Sequence, residues 1–160
     1  MQRNKKILLV SHCILNQNTV IEGEARSLGA IPTALEWIQK EGLGVIQLPC
    51  PEFTFLGLER PSMTYEEYDN EEYRLHCRNI LLPVLDQLKE YEKCGYQITG
   101  ILGIQSSPSC DMTKGVFIEE LKKLFTVHQI AIETQWFLPD QKYPIFNSKE
   151  NYIKKESNSY

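Results

Sequence analysis

The chain has 160 residues, 42% hydrophobic and 24% charged, with 9 Gly and 8 Pro, about one domain's worth and enough to bury a core without disulfides. Its net charge of −4 comes from one stretch, since residues 64–94 hold eight acids against four bases while the flanks are balanced; without a basic stripe, duplex nucleic acid is not an expected partner. No apolar run nears the ~20 residues of a membrane span, so no membrane partner is expected. The opening Met1–Lys6 leads into a run too short for a secretory leader, which predicts a cytoplasmic protein.

The first element is the apolar run Lys6-Ile-Leu-Leu-Val-Ser11, a buried strand. Residues 31–41 have helical spacing through Ile31, Leu35, Trp37 and Ile38, closing at Gly42. Val45–Leu48 is the second strand, stopped by Pro49 and Pro51. A loop rich in Phe, Gly and Pro runs to Met63. Thr64-Tyr-Glu-Glu67 fits a capping box, and a helical pattern follows to Lys93, which Pro83 should kink or break. Gly95 suits the left-handed residue past a helix end. Ile98–Ile104 reads as strand three, Val116–Phe125 as a helix and Val127–Ile132 as strand four.

Strands that are apolar on both faces and alternate with helices predict an α/β fold. The expected form is one doubly wound, Rossmann-like domain with a mostly parallel sheet of four to five strands. The domain should occupy residues 1–146, followed by a polar, frayed C-terminal tail over 147–160. No internal repeat or linker interrupts it.

Five cysteines, an odd number with no C-x-x-C pair, argue against a disulfide framework and a zinc ribbon alike. Cys77 falls on the apolar helix face and reads as core; Cys94, beside Gly95, reads as a bystander. The other three stand differently. Cys13 lies two residues past strand one, Cys50 two past strand two and Cys110 six past strand three. In parallel sheets ligands bind beyond the carboxyl ends of the strands, so these thiols should converge. Three thiolates can hold a soft or borderline metal, and ligand type alone does not choose between zinc and iron–sulfur.

Their settings are Val10-Ser-His-Cys13, Leu48-Pro-Cys-Pro-Glu52 and Ser106-Ser-Pro-Ser-Cys110. This S-x-C, C-P-E, S-P-S-C pattern resembles the 2-thiouracil desulfidase family over about residues 5–135. The run Cys50–Arg60 with His76-Cys-Arg78 looks like a small-domain subgroup related to those enzymes. The resemblance implies that Cys13, Cys50 and Cys110 ligate a [4Fe–4S] cluster whose fourth iron takes the sulfur of a small thiolated pyrimidine. It implies catalytic roles for Glu52 and Ser107, a hydrolytic reaction releasing sulfide, and loading by iron–sulfur assembly machinery. Two departures fall near the expected pocket: Asp111 follows Cys110 where many members have glycine, and Ile14-Leu-Asn-Gln-Asn18 replaces a glycine-bearing stretch.

Glu52 has a plainer reading as the partner of Arg60, Ser107 as a turn residue, and His12 has no role beyond supporting the site. A different class of function is a non-catalytic module handling iron–sulfur, sulfide or persulfide. Zinc or thiol chemistry through Cys13 and His12 ranks last, because adjacent residues rarely point into one site.

Overall fold

The computed structural model describes residues 1–155. Its elements run β1 (Lys6–Val10), α1 (His12–Leu15), α2 (Pro32–Glu41), β2 (Gly44–Gln47), α3 (Pro51–Leu56), α4 (Tyr65–Tyr68), α5 (Glu71–Lys93), β3 (Gln97–Ile104), α6 (Val116–Val127) and β4 (Thr134–Leu138), with a 3-10 turn at Gln17–Thr19. The four strands form one sheet in the order β2-β1-β3-β4, every pair parallel.

Both faces of the sheet are covered, as parallel pairing requires. Side chains of β1 alternate between two cores. Ile7 and Leu9 pack with Leu81, Leu85 and Leu88 of α5 and Phe117 and Leu121 of α6. Leu8 and Val10 pack with Ala34 and Ile38 of α2 and with Trp136 of β4. Each of these fully buried leucines contributes about 1.5–3 kcal/mol relative to exposure.

The expected fold class holds, with four strands, all parallel. Two boundaries differ from expectation. The fourth strand is Thr134–Leu138, not 127–132. Val127 ends α6, Gln129 turns at φ 56°, and Ile130, 6% exposed, folds back as the apolar residue that seals the helix end, its N–H donating to the Phe125 carbonyl. The helix over 64–93 is two helices. The Thr64–Glu67 capping box forms, but it starts only α4; Asn70 then caps α5, its side chain accepting the Tyr73 N–H at 2.9 Å.

Pro83 does not break α5, which runs unbroken for 23 residues. Pro83 lies on the exposed face with Asn79 and Leu82, where water can satisfy the carbonyl that loses its partner. Gly42 and Gly95 end their helices at positive φ. The segment after residue 146 is tied down rather than frayed as far as it is described. Phe137 N–H donates to the Asn151 carbonyl at 3.0 Å and Ile153 N–H to Gln135 at 2.9 Å, an antiparallel bridge along β4. Residues 156–160 of the expected tail lie outside the described residues. Among the described residues no helix is long and apolar enough to cross a membrane.

Candidate functional site

All strands point the same way, so the loops leaving β1, β2 and β3 meet at one edge of the sheet. Cys13 sits in α1 directly after β1, Cys50 is the residue that caps α3 after β2, and Cys110 lies in the turn between β3 and α6. All three, together with Glu52 and Ser107, line one cleft of about 420 Å³. That is the size range of a small-molecule site. Its walls are apolar at Val20, Ile21, Ile104 and Leu138, and it also holds Arg60, Glu24, Arg26 and Asp140.

Local hydrogen bonds fix each thiol-bearing loop. The Cys13 carbonyl accepts from Gln17 Nε2 at 2.7 Å, and the same buried side chain accepts the Arg26 N–H through Oε1 at 2.7 Å. Cys50 Sγ accepts the Phe53 N–H at 3.4 Å, and the Cys50 carbonyl accepts the Thr54 hydroxyl at 2.7 Å. The Cys110 N–H donates to Ser107 Oγ at 3.1 Å, while its carbonyl accepts the Ile104 N–H at 3.0 Å. That last bond folds the loop flat against Gly103, where an added Cβ would stand 2.5 Å from the Cys110 carbonyl oxygen. Only glycine fits there.

The thiols feel one another. Burial, then the charges of Cys50 and Glu52, push the Cys13 thiol up to about 12. Burial and the charges of Cys13 and Cys50 push Cys110 well above its ordinary range. Burial raises Cys50 too, against the Phe53 N–H and Arg60, which favour its thiolate. Uncompensated, the three stay protonated; a cation or cluster would replace those protons. The buried Ser11 hydroxyl, with no hydrogen-bond partner among the described residues, favours the thiolate of Cys110. Donor chemistry therefore fits a soft metal group. Among the described residues, however, no three His, Cys, Asp or Glu side chains are set closely enough to hold a metal ion as they stand. Around one tetrahedral zinc, thiolate sulfurs sit roughly 3.8 Å apart.

Glu52 is held through one oxygen. Tyr68 OH donates to Oε1 at 3.2 Å, and Arg60 Nε lies 3.5 Å from the same atom, too poorly aimed to count as a hydrogen bond. The ion pair with Arg60 is thus present, and it leaves Oε2 without a hydrogen bond among the described residues. Arg60 is nearly buried, with its Nη atoms donating to the Gly57 carbonyl at 3.0 Å and the Thr19 carbonyl at 2.8 Å. Ser107 does act in its turn, Oγ accepting from both Ser109 and Cys110 N–H, yet among the described residues its hydroxyl proton has no acceptor.

Other residues lie elsewhere. Cys77 is buried in the core and Cys94 exposed at the end of α5. His12 and Asp111 do not line the cleft. The Asp111 carboxylate faces its own turn, accepting from Ser106, Thr113 and Lys114 N–H. Partial burial pushes it up, but these bonds and the Thr113 hydroxyl take it below the usual range. Sequence reasoning missed Tyr68, whose spacing from Glu52 carries no periodic signal, and Gln17, whose run Asn16-Gln-Asn18 reads as loop.

Compared with known proteins, the chain is 44% identical over 123 residues to Uncharacterized protein MJ0003 of Methanocaldococcus jannaschii, an overlap that covers 76% of this chain and 78% of that one. No family model matches the chain, and no solved structure matches it.

Proposed function

The chain belongs to the family of the Methanocaldococcus jannaschii protein MJ0003, and for this member we propose a cluster-dependent desulfidase. Cys13, Cys50 and Cys110 would hold a [4Fe–4S] cluster, and sulfur would leave a thiocarbonyl compound, such as a thiolated pyrimidine, as sulfide. The observation that carries this reading is the meeting of the three half-buried thiols of Cys13, Cys50 and Cys110 in one cleft that also holds Glu52. Such a cluster would draw one thiolate from each of the three loops that follow β1, β2 and β3. When bound by three cysteines, it supplies one iron open as a Lewis acid for soft sulfur.

The chain's own residues then divide the remaining work. The apolar walls at Val20, Ile21, Ile104 and Leu138 pack a flat ring and exclude bulk water. The free Oε2 of Glu52 accepts a proton from the attacking water and returns it to the departing sulfur. Ser107, with both Oγ acceptor positions used by its turn, donates its hydroxyl proton to the ligand. Atoms balance without electron transfer: water oxygen replaces sulfur on carbon, and water's two protons leave with it as hydrogen sulfide. No reductant is consumed.

Anaerobic purification with iron and sulfide analysis, followed by sulfide release from 2-thiouracil, tests the proposal. A brown protein with about four irons and four sulfides per chain that releases sulfide supports it. A colourless zinc protein overturns it. Iron and sulfide without turnover on any thiocarbonyl compound would instead leave a module that handles iron–sulfur or sulfide.

A further inference from the structure

Beneath the cleft, aromatic rings from α4 and α5 form a column. The ring centroids of Tyr68 and Tyr73 are 4.5 Å apart, and those of Tyr73 and His76 are 6.4 Å apart and nearly parallel at 20°. Phe55 of α3 closes its side, 5.2 Å from Tyr73 and 5.1 Å from His76. Such contacts hold rings in fixed relative positions.

Each polar tip of the column reaches a different part of the site. Tyr68 OH donates to Glu52 Oε1. Tyr73 OH shares a 2.7 Å hydrogen bond with Ser109 Oγ, both residues fully buried, and Ser109 precedes Cys110. His76 Nε2 stands 2.7 Å from Thr54 Oγ1, whose own proton goes to the Cys50 carbonyl, so the imidazole is the donor. The loops bearing Cys50 and Cys110 leave β2 and β3, which are separated by β1. Among the described residues no backbone hydrogen bond joins those two loops.

We propose that the Tyr68–Tyr73–His76 column is the positioning device that sets the spacing of Cys50, Cys110 and Glu52, with Tyr73 as its central positioning residue. The inference rests on the reading of the three cysteines as cluster ligands. A cluster is rigid and fixes the separation of its ligands, whereas two loops on non-adjacent strands can drift. The Tyr73–Ser109 bond removes that freedom on the Cys110 side, and the His76–Thr54 bond removes it on the Cys50 side.

Wild type, Tyr73→Phe, Ser109→Ala, the double variant and Cys110→Ala are reconstituted anaerobically with ferrous iron and sulfide. Iron release to a chelator, the electron paramagnetic resonance spectrum of the reduced cluster, and thermal unfolding are then measured. Tyr73→Phe should take up the cluster but release iron roughly two- to tenfold faster, the range one hydrogen bond sets, with a broadened spectrum. The double variant leaves neither partner unpaired in the core, so it keeps the test valid if a single variant unfolds. Because one bond is removed in every case, its release rate should match the single variants. A double variant with wild-type release and spectrum overturns the inference while leaving the cluster reading intact. A wild type that takes up no more iron than Cys110→Ala overturns both.

Discussion

Glu52 and the three cleft thiols make claims that separate by substitution. Glu52→Gln keeps the shape of the side chain and the contact from Tyr68, but it cannot accept a proton. Desulfidation should fall about 10²–10⁴-fold while the iron content stays at the wild-type level; a turnover number equal to wild type removes Glu52 from the mechanism. Cys13→Ala, Cys50→Ala and Cys110→Ala should each lose most of the iron, measured per chain after anaerobic reconstitution, whereas Cys94→Ala, on the exposed end of α5, should keep it. Equal loss in all four would mean general destabilisation. At this scale the meeting of the three cysteines was legible. Cys13, Cys50 and Cys110 line one cleft, as their places just past three parallel strands imply; Glu52 and Ser107 line it too, but only the family resemblance singled them out. The helper residues were not readable: Tyr68 and Gln17 act through tertiary hydrogen bonds that leave no local pattern.

Between elements, the junction of α5 and α6 holds a carboxylate among cations. Glu120, 2% exposed, pairs with Arg74 at 2.9 Å, Arg78 at 3.3 Å and Lys123 at 3.3 Å, and Arg74 also binds Asp69 at 2.8 Å. Burial pushes the Glu120 carboxyl up, but these cations take it below its ordinary 4.5. A lowered folded value means its contribution is complete above pH 4.5 and lost as pH falls through the lowered value. Glu120→Gln should therefore lose about 1–2 kcal/mol at pH 7 by denaturant titration, since Arg78 and Lys123 remain solvated and Arg74 keeps Asp69, and show a flatter acid limb than wild type. Cys77 adds to the alkaline limb, as the three raised cleft thiols do. Burial, then the charge of Glu120, pushes Cys77 from 9.0 to about 12, so its stability term is complete below pH 9 and lost as pH rises toward 12. Cys77→Ala should flatten that slope by one proton, about 1.4 kcal/mol per pH unit. Element boundaries were legible where caps and periodicity agree, as at Thr64, Gly42 and Gly95. They were not legible at residues 127–132, where an apolar run sealing a helix end has the same pattern as a buried strand. Nor were α1 and α3 legible, being too short to show a helical period.

Across the whole molecule, the parallel sheet followed from alternating strands and helices, and it is what brings the three loops to one edge; the order β2-β1-β3-β4 leaves no mark in the sequence pattern. The tie of residues 151–153 to β4 was not foreseeable, because it rests on backbone bonds and on Tyr152 and Ile153 packing against the two cores, which a mostly polar segment does not announce. The parallel sheet also bears on how the protein comes into being. Cys13, Cys50 and Cys110 are 37 and 60 residues apart, and they become neighbours only after three strands have joined through crossover connections, the slow kind of contact to make. A chain emerging from the ribosome carries separate, reactive thiols until strand three docks. Any group that needs all three can enter only afterwards. Occupancy of the cleft would then serve as a record that the first three strands have joined, and a chain cut short before Cys110 would go unloaded.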